Sequence, residues 1–150
     1  MTVFTGDFQV KADAKGRFLF PSALSACLLP DTKKRFIIKK DIYENCLQVF
    51  TLQEWEKRLD TVRAKLNPFN KSHNVFLREF FKDTADVELD ASGRMLIPKR
   101  LMEVIGSDKD LLILGLDTKI EIWSQAVYEA SRPSADDFAA LALQIFGGDI

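Results

Sequence analysis

The sequence contains little of the material from which metal sites and enzyme active sites are usually made. One histidine and two cysteines occur among its 150 residues. Cys27 and Cys46 are far apart and form no C-x-x-C pair, so metal-site spacing is absent and both are interpreted as buried thiols of a reducing compartment. His73 lies in a polar stretch, which favours a surface position at a helix start over a catalytic base. We therefore expect neither a metal nor another cofactor.

Motifs of hydrolases and of nucleotide-binding enzymes are missing as well. The sequence has no G-x-S-x-G, no G-x-x-x-x-G-K-[ST] and no G-x-G-x-x-G. The adjacent carboxylates Asp136 and Asp137 stand at a predicted helix start, where the helix dipole favours negative charge for structural reasons. These observations predict a protein that is not an enzyme and has no small-molecule substrate.

The sequence also lacks a long apolar run and a strong excess of either charge. No stretch approaches the ~20 apolar residues of a membrane span, and the N-terminus lacks the basic region and apolar run of a signal peptide. We expect a cytoplasmic protein without a membrane partner. The formal net charge of −1 is unlike that of most nucleic-acid-binding domains, which are basic. A DNA-binding hypothesis must therefore identify a local basic face.

An internal repeat is the most informative feature that is present. Residues 10–21 (VKADAKGRFLFP) align without a gap to residues 87–98 (VELDASGRMLIP), with Val, Asp, Ala, Gly, Arg, Leu and Pro matching at identical spacing. Chance is a poor explanation for such a match. Downstream, residues 46–51 correspond to residues 119–124, whereas residues 67–85 have no counterpart. We therefore predict a first repeat with its following helix (1–66), a helical insert (67–85) and a second repeat with a C-terminal helix (86–150), intertwined as one compact domain.

Each repeat is predicted to be a ββαββ unit. The first strand alternates apolar and polar residues, and the next strand is apolar on both faces. Between them lies a turn in which Gly16 can adopt positive φ and Asp13 can bond its own backbone. Pro21 suits the first turn of a short helix. The other predicted elements are helices at 22–28 and 99–105, with Gly106 just after the second, and strands at 35–39, 46–50, 111–114 and 120–123.

Three further helices are predicted from their caps and apolar stripes. Thr51 and Glu54 form a capping box, and the helix that follows stops at Asn67-Pro68. The second helix lies in the insert, and the third begins at Ser134. Packing into the core is the favoured interpretation of all three stripes, although one of them could be a subunit interface. The apolar residues that mark the three helices are Leu52, Trp55, Leu59, Val62 and Leu66; Val75, Phe76, Phe80 and Phe81; and Phe138, Leu141 and Ile145.

The repeated turn, which we place at the tip of a predicted hairpin, is the candidate site. For Asp13 and Asp90 two alternatives stay open. Either they take part in function, or their role is purely structural, with Asp and Gly forming the turn and Arg pairing with Asp. For Lys15, Arg17 and Arg94 a role in DNA binding is favoured. Arginine can clamp a phosphate or read a guanine edge, lysine can meet a phosphate as a point charge, and a two-stranded ribbon fits a major groove.

A second basic run surrounds a predicted strand. It consists of Lys33, Lys34 and Arg35, followed by Lys39 and Lys40. We interpret it as a solvated edge that protects the sheet, in preference to a second DNA surface.

With these features assembled, the sequence resembles the MraZ family of bacterial transcription regulators across nearly the whole chain. The resemblance rests on two segments, each followed by an apolar triplet and Pro: residues 13–17 (DAKGR) and residues 90–94 (DASGR, with Gly93 in the place of Gly16). Residues 76–81, 111–115 and 120–124 also look like the family. A single D-x-x-G-R motif would be weak, whereas the duplicated motif in this order is specific.

The resemblance implies an α+β fold of the AbrB/MazE-like double-ψ, swapped-hairpin β-barrel type, in which two halves interleave and here both come from one chain. It also implies ring-like homo-oligomers, association with the nucleoid, and binding of double-stranded DNA at short repeats upstream of the division and cell-wall gene cluster, including the protein's own promoter. By position, the DNA contacts fall on Lys15, Arg17 and Arg94.

Two departures from this pattern matter. Ser92 stands where the first motif has Lys15, so the second tip carries one positive charge fewer, although Ser can still bond a phosphate. The Ala-rich C-terminal helix lies beyond the family pattern and is either an interface or a lineage-specific tail. The rival hypothesis is a protein-interaction or scaffold module without DNA binding, motivated by the isoelectric point near 5.9 and by the twelve Phe.

Overall fold

The computed structural model describes residues 3–30, 34–107 and 109–150, and over these residues the chain is an α+β protein. The predicted α+β class is therefore confirmed. The strands are β1 (Asp7–Lys11), β2 (Arg17–Leu19), β3 (Arg35–Lys40), β4 (Leu47–Thr51), β5 (Thr84–Glu88), β6 (Arg94–Leu96), β7 (Asp110–Leu116) and β8 (Lys119–Ser124). The helices are α1 (Ser22–Ser25), α2 (Leu52–Lys65), α3 (Lys71–Phe81), α4 (Lys99–Val104), α5 (Gln125–Ser131) and α6 (Ala135–Phe146).

The strands form two antiparallel sheets, and both repeats contribute strands to each of them. The larger sheet has the order β1-β7-β8-β4-β3-β5, and the smaller one pairs β2 with β6. β1 of the first repeat pairs with β7 of the second, and β5 of the second repeat pairs with β3 of the first. Strands β4 and β8 also join the two repeats. The repeats are thus interleaved through backbone hydrogen bonds.

The predicted hairpin between the first two strands of each repeat is wrong. β1 and β2 belong to different sheets, as do β5 and β6, so each turn carries the chain from the large sheet to the small one. The alternation of apolar and polar residues predicts a strand but does not specify its partner, and here each strand is satisfied by the other repeat. The large sheet is also open, with β1 and β5 as its edges, so the structure does not confirm the specific closed barrel. Although they belong to different sheets, β2 contacts β1 and β6 contacts β5.

The main core lies between the two sheets and contains side chains of both repeats. Phe18 of β2 and Met95 of β6 are buried at its centre, together with Phe36, Ile38 and Ile113 of the large sheet. Burial of such side chains stabilises the fold by about 1.5–3 kcal/mol each. The small sheet is therefore held to the body by its inner face, and its outer face remains free.

A second cluster forms between α2, α3 and the large sheet, around Trp55, Phe80 and Phe50. The rings of Trp55 and Phe80 are stacked with their centroids 5.8 Å apart. The predicted core role of the α2 stripe is thus confirmed for Trp55 and Leu59, which are buried. The stripe of α6 behaves differently, because no residue of that helix is buried in the described structure.

The predicted helix starts are largely confirmed. The Thr51 hydroxyl accepts a hydrogen bond from the Glu54 backbone N–H at 3.2 Å. The Glu54 side chain does not complete the capping box, because its carboxylate accepts from Arg58 Nε at 3.2 Å instead. Ser134 caps α6, with Asp136 and Asp137 in the first turn as expected. The sequence missed α5 and predicted α1 too long.

The basic run does not form a solvated sheet edge, because β3 lies between β4 and β5 inside the sheet. Lys39 is only 3% exposed, and its ammonium lies 4.3 Å from the centroid of the Phe80 ring. Burial lowers the pKa of Lys39 because desolvation penalises its charged form. The Arg35 guanidinium pairs with Asp86 at 2.6 Å. Lys33 lies outside the described residues.

The two cysteines and the histidine occupy ordinary structural positions. Cys46 is fully buried, which raises the pKa of its thiol, and Cys27 is half-buried. His73 lies in the first turn of α3, where its Nδ1 accepts a hydrogen bond from the Asn67 N–H at 2.8 Å. Among the described residues, no helix has both the length and the apolar character needed to cross a membrane.

Candidate nucleic-acid interface

The first turn is closed by the carboxylate of Asp13. One of its oxygens accepts hydrogen bonds from the backbone N–H groups of Lys15, at 3.0 Å, and of Arg17, at 2.9 Å. The other oxygen accepts from Arg17 Nε at 2.8 Å. The Gly16 N–H donates to the Asp13 carbonyl at 3.0 Å, and Gly16 adopts a φ of 90°. Asp13 and Gly16, the two residues that the sequence assigns to the turn, thus both take part in its hydrogen bonds.

The second turn repeats this arrangement. The Asp90 carboxylate accepts from the backbone N–H groups of Ser92 and Arg94, each at 2.9 Å, and from Arg94 Nε at 3.0 Å. Gly93 has a φ of 80° and donates to the Asp90 carbonyl at 2.9 Å. The two motifs therefore produce the same local structure.

These hydrogen bonds lower the pKa of both aspartates. For Asp13 the largest cause is the hydrogen bond from the Arg17 backbone N–H, and for Asp90 it is the one from the Arg94 backbone N–H. Both carboxylates are thus held in the charged form that the turn requires.

The pairing with aspartate orients each arginine side chain without using the N–H donors at its end. In both cases the ion pair is made through Nε, and the side chains of Arg17 and Arg94 remain 33% and 37% exposed. Arginine has five N–H donors, and the four at the end of each side chain have no hydrogen-bond partner among the described residues, so they can bind another group. The structural and functional roles that the sequence left open for Asp13 and Asp90 are therefore compatible. The ion pair with aspartate fixes the guanidinium group, whose terminal N–H donors remain available.

The outer face of the small sheet brings the two arginines together. Register and burial place Phe18 and Met95 on the inner face, and their neighbours on the outer one. The pairs on the outer face are Arg17 with Leu96 and Leu19 with Arg94. Side chains directly opposite each other lie about 5 Å apart at Cβ, and same-face residues along a strand lie about 7 Å apart. Both guanidinium groups therefore belong to one small surface, which we call the ribbon face (Arg17, Leu19, Arg94 and Leu96).

Sequence reasoning did not assign a role to the two leucines of the ribbon face. Leu19 is 64% exposed and Leu96 is 47% exposed. The signal that could have identified them is the two-residue period of a strand, which places Leu19 on the same side as Arg17. Lys15 and Ser92 lie in the exposed turns just outside this face.

The two turns differ in charge and in crowding. Lys15 gives the first turn a net positive charge, whereas Asp90 and Arg94 leave the second turn neutral. A Cβ atom at Gly16 would lie 2.6 Å from the carbonyl oxygen of Ile97, but one at Gly93 would meet nothing closer than 3.9 Å. The first turn is therefore the more tightly fitted of the two.

One other cluster has the composition of a metal site. Ligand atoms of Asp41, Cys46 and Glu121 lie within 4.8 Å of one another. The Asp41 carboxylate, however, already accepts hydrogen bonds from two backbone N–H groups and from Gln48 Nε2. Glu121 accepts from Trp123 Nε1 at 2.9 Å, and burial keeps the thiol protonated. We therefore interpret the cluster as a polar network that supports the loop after β3.

The fold and the twin turns define a class: two-repeat α+β proteins that carry the same arginine-bearing turn twice in one chain. Comparison with known proteins gives the particular family. The profile of the family described as "MraZ protein, putative antitoxin-like" matches residues 3–79 and 80–140. The chain belongs to the MraZ family, as the resemblance predicted.

Individual relatives are similar over almost the whole chain. A protein named transcriptional regulator MraZ from Christiangramia forsetii is 38% identical over 145 residues, which cover 96% of this chain and 93% of the relative. The protein of the same name from Bacteroides thetaiotaomicron is 34% identical, covering 99% of this chain and 96% of the relative. That from Acetivibrio thermocellus is 38% identical, covering 85% of each.

Proposed function

We propose that this protein is a sequence-specific DNA-binding transcription regulator that uses the ribbon face and its two turns to contact double-stranded DNA. The observation that carries the proposal is the pair of guanidinium forks, Arg17 and Arg94, presented on one exposed face by two turns with the same hydrogen bonds. The names of the relatives, which call them transcriptional regulators, support it.

The dimensions of the ribbon face suit a major groove. A B-DNA major groove is about 12 Å wide and admits a two-stranded β-ribbon. On this ribbon, Arg17 and Arg94 stand diagonally and can each address a guanine edge or a phosphate through free N–H donors. Lys15 adds a phosphate contact at the first turn, and the Ser92 hydroxyl is the weaker counterpart at the second. We expect the first turn to contribute more to affinity.

The acidic balance of the chain argues for several copies acting together. With a net charge of −1, one chain has little long-range attraction for DNA. We propose a ring-like homo-oligomer whose ribbon faces bind successive short repeats, because linked sites gain affinity through effective concentration. The exposed apolar side chains of α6, among them Phe138, Leu143 and Ile145, support self-association.

The finer points of fold, organisation and target belong to the same proposal. We propose that the interleaved sheets represent the AbrB-like swapped-hairpin fold, with repeats at 1–66 and 86–150 folding as one unit around the insert at 67–85. The proposed targets are short repeats upstream of the division and cell-wall gene cluster, including the protein's own promoter. A regulator acting there would be found with the nucleoid.

The test combines a mass measurement with a DNA titration. The mass of the free protein in solution gives the number of subunits, and the proposal predicts a discrete multiple of the 17.1 kDa chain. The oligomer is then titrated against DNA from upstream of its own gene, with the repeats scrambled as control. We expect preferential binding of the intact repeats, and affinity for them that falls as salt increases.

The rival scaffold function predicts a different outcome of the same titration. Binding would then be weak and indifferent to sequence even at low salt, and the exposed apolar surface of α6 would serve protein partners alone. That result would overturn the proposed regulator function, whatever the subunit number.

A further inference from the structure

The ribbon face exposes two leucines beside its two arginines. Leu19 and Leu96 point away from the core, although their neighbours Phe18 and Met95 are fully or almost fully buried. Exposed apolar side chains are common singly, but here two of them share one small surface with the proposed DNA-contacting groups.

The arrangement follows the pseudo-twofold symmetry of the two repeats. Each leucine lies opposite the arginine of the other repeat, so the two arginines occupy one diagonal of the face and the two leucines occupy the other. Each leucine also reaches the opposite turn. Leu19 Cδ1 lies 3.9 Å from a Cβ built on Gly93, and Leu96 Cδ1 lies 3.9 Å from one built on Gly16. The leucine side chains therefore stand directly against the turns that orient Arg94 and Arg17.

The spacing of these groups matches the spacing of base pairs. Residues two apart on a strand are about 7 Å apart, and base pairs stack about 3.4 Å apart. An arginine and a leucine on the same strand are thus separated by about two base-pair steps, and an opposite pair, about 5 Å apart in the perpendicular direction, by about one and a half. Each leucine can therefore reach a base pair next to one that an arginine addresses. The apolar group that a major groove offers at these positions is the C5-methyl group of thymine.

We propose that Leu19 and Leu96 contact thymine C5-methyl groups next to the base pairs addressed by Arg94 and Arg17, and so make thymine part of the sequence that this protein selects. This inference rests on the proposed function, because it requires the ribbon face to enter a major groove. It adds a specificity determinant to that function, since phosphate contacts alone would not distinguish thymine from other bases.

The test removes the methyl groups and the leucines separately. A duplex enriched from a random pool by the wild-type protein is prepared with thymine or, throughout, with uracil, which lacks the C5-methyl group. Affinities of both duplexes are measured for the wild type and for the double variant Leu19→Ala/Leu96→Ala. Leu116→Ala in β7 is the matched control, since Leu116 is 41% exposed and lies outside both the ribbon face and α6.

For the wild type we expect uracil to lower the affinity roughly fourfold for each contacted methyl group, the factor associated with burial of one such group. The double variant should bind the thymine duplex more weakly and lose the difference between the two duplexes. Leu116→Ala should keep the full difference. Unchanged thermal unfolding of the variants shows that the fold persists.

Three results would overturn the inference, and they can be told apart. If the pool yields no preferred sequence, the proposed regulator function fails together with this inference. If a preferred sequence is bound equally with thymine and uracil, only the methyl contact fails. If the double variant keeps the full preference for thymine, other side chains make that contact and the assignment to Leu19 and Leu96 is wrong.

Discussion

The two turns of the ribbon share one hydrogen-bonded frame but differ in what surrounds it. In both, one aspartate closes the loop and holds the following arginine through Nε, with corresponding distances that agree within 0.2 Å. The first turn, however, carries Lys15 where the second carries Ser92, and its glycine is packed against the backbone of Ile97. The frame therefore fixes where an arginine points, while charge and fit decide how much each turn contributes.

This difference teaches that equivalent geometry need not mean equivalent function. An Asp-Arg pair is neutral, so an added lysine is what gives a turn a net attraction for phosphate. In a chain of net charge −1 such local differences have large consequences, because no overall positive field compensates for them. The two turns can thus be compared within one chain, and four predictions test how they contribute to DNA binding and to stability.

The largest expected effect is the loss of an arginine fork. We expect Arg17→Ala to abolish specific DNA binding, because it removes the guanidinium fork beside Lys15. The remaining fork, that of Arg94, lies beside the second turn, which has no net charge. Arg94→Ala should weaken binding by less, about 1–3 kcal/mol, the range for one bidentate base contact. A gel-shift assay with a promoter-repeat duplex measures both.

The control for this prediction is Arg63→Ala, which removes the same charge from α2, where Arg63 pairs with Asp60 and Glu56. Its binding should stay close to that of the wild type. Intact specific binding by Arg17→Ala would rule out the role that we give to Arg17.

The next effect concerns stability and separates the two glycines. Gly93→Ala forces a residue with a side chain into a positive φ, which costs about 1–2 kcal/mol. Gly16→Ala carries the same strain and adds a contact of 2.6 Å with the Ile97 carbonyl oxygen, so we expect a further loss of about 1–3 kcal/mol. Urea unfolding of both variants gives the difference directly. Equal destabilisation would show that the crowding at Gly16 is relieved without cost.

A smaller effect is expected from exchanging charge between the turns. Lys15→Ser should reduce the salt dependence of DNA binding by about 0.9 log units per log unit of salt for each subunit that contacts the DNA, which corresponds to one phosphate contact per subunit. Ser92→Lys should increase it by a similar amount, and the double variant should return close to the wild-type slope. Affinity measured across a salt series provides the slopes. Slopes that do not respond to Lys15→Ser would mean that Lys15 does not meet a phosphate.

The smallest effect is the response of the turns to acid. Because the folded-state pKa values of Asp13 and Asp90 lie below the unfolded value of 3.8, their contribution to stability is present above about pH 4. It is lost as the pH falls through the folded pKa values. Asp13→Asn should therefore show a shallower loss of stability in acid than the wild type.

Unfolding midpoints measured between pH 7 and pH 2 test this expectation. The matched control is Asp136→Asn on α6, whose acid response should follow that of the wild type. An Asp13→Asn curve parallel to the wild-type curve down to the lowest pH would contradict the role given to the Asp13 carboxylate.

The sequence predicts the local geometry of the two turns better than the fold around them, for a physical reason. A turn of the type Asp-x-x-Gly-Arg is determined by contacts between residues two to four positions apart, so Asp13, Gly16 and Arg17 are enough to specify it. The caps of α2 and α6 are equally local, and Thr51 and Ser134 were predicted correctly.

Features that depend on distant residues were not predictable in the same way. Strand β2 pairs with β6 rather than β1 because the partner is chosen by burial of Phe18 against Met95, which no local pattern encodes. Lys39 was expected on a solvated edge, but β5 pairs along that edge of β3 and the Lys39 ammonium lies over the Phe80 ring of α3. The exposure of Leu19 likewise depends on the register of a long-range pair.

The measurement that tests the central claim most directly is a comparison of specificity in the wild type and in the double variant Arg17→Ala/Arg94→Ala. Each protein is titrated with the repeat-containing duplex and with its scrambled counterpart at one fixed salt concentration. For the wild type we predict a preference of roughly a thousandfold or more, the lower end for specific DNA-binding proteins. The double variant should bind both duplexes with the same weak affinity. A preference that survives in the double variant, or that is absent from the wild type, would contradict the account.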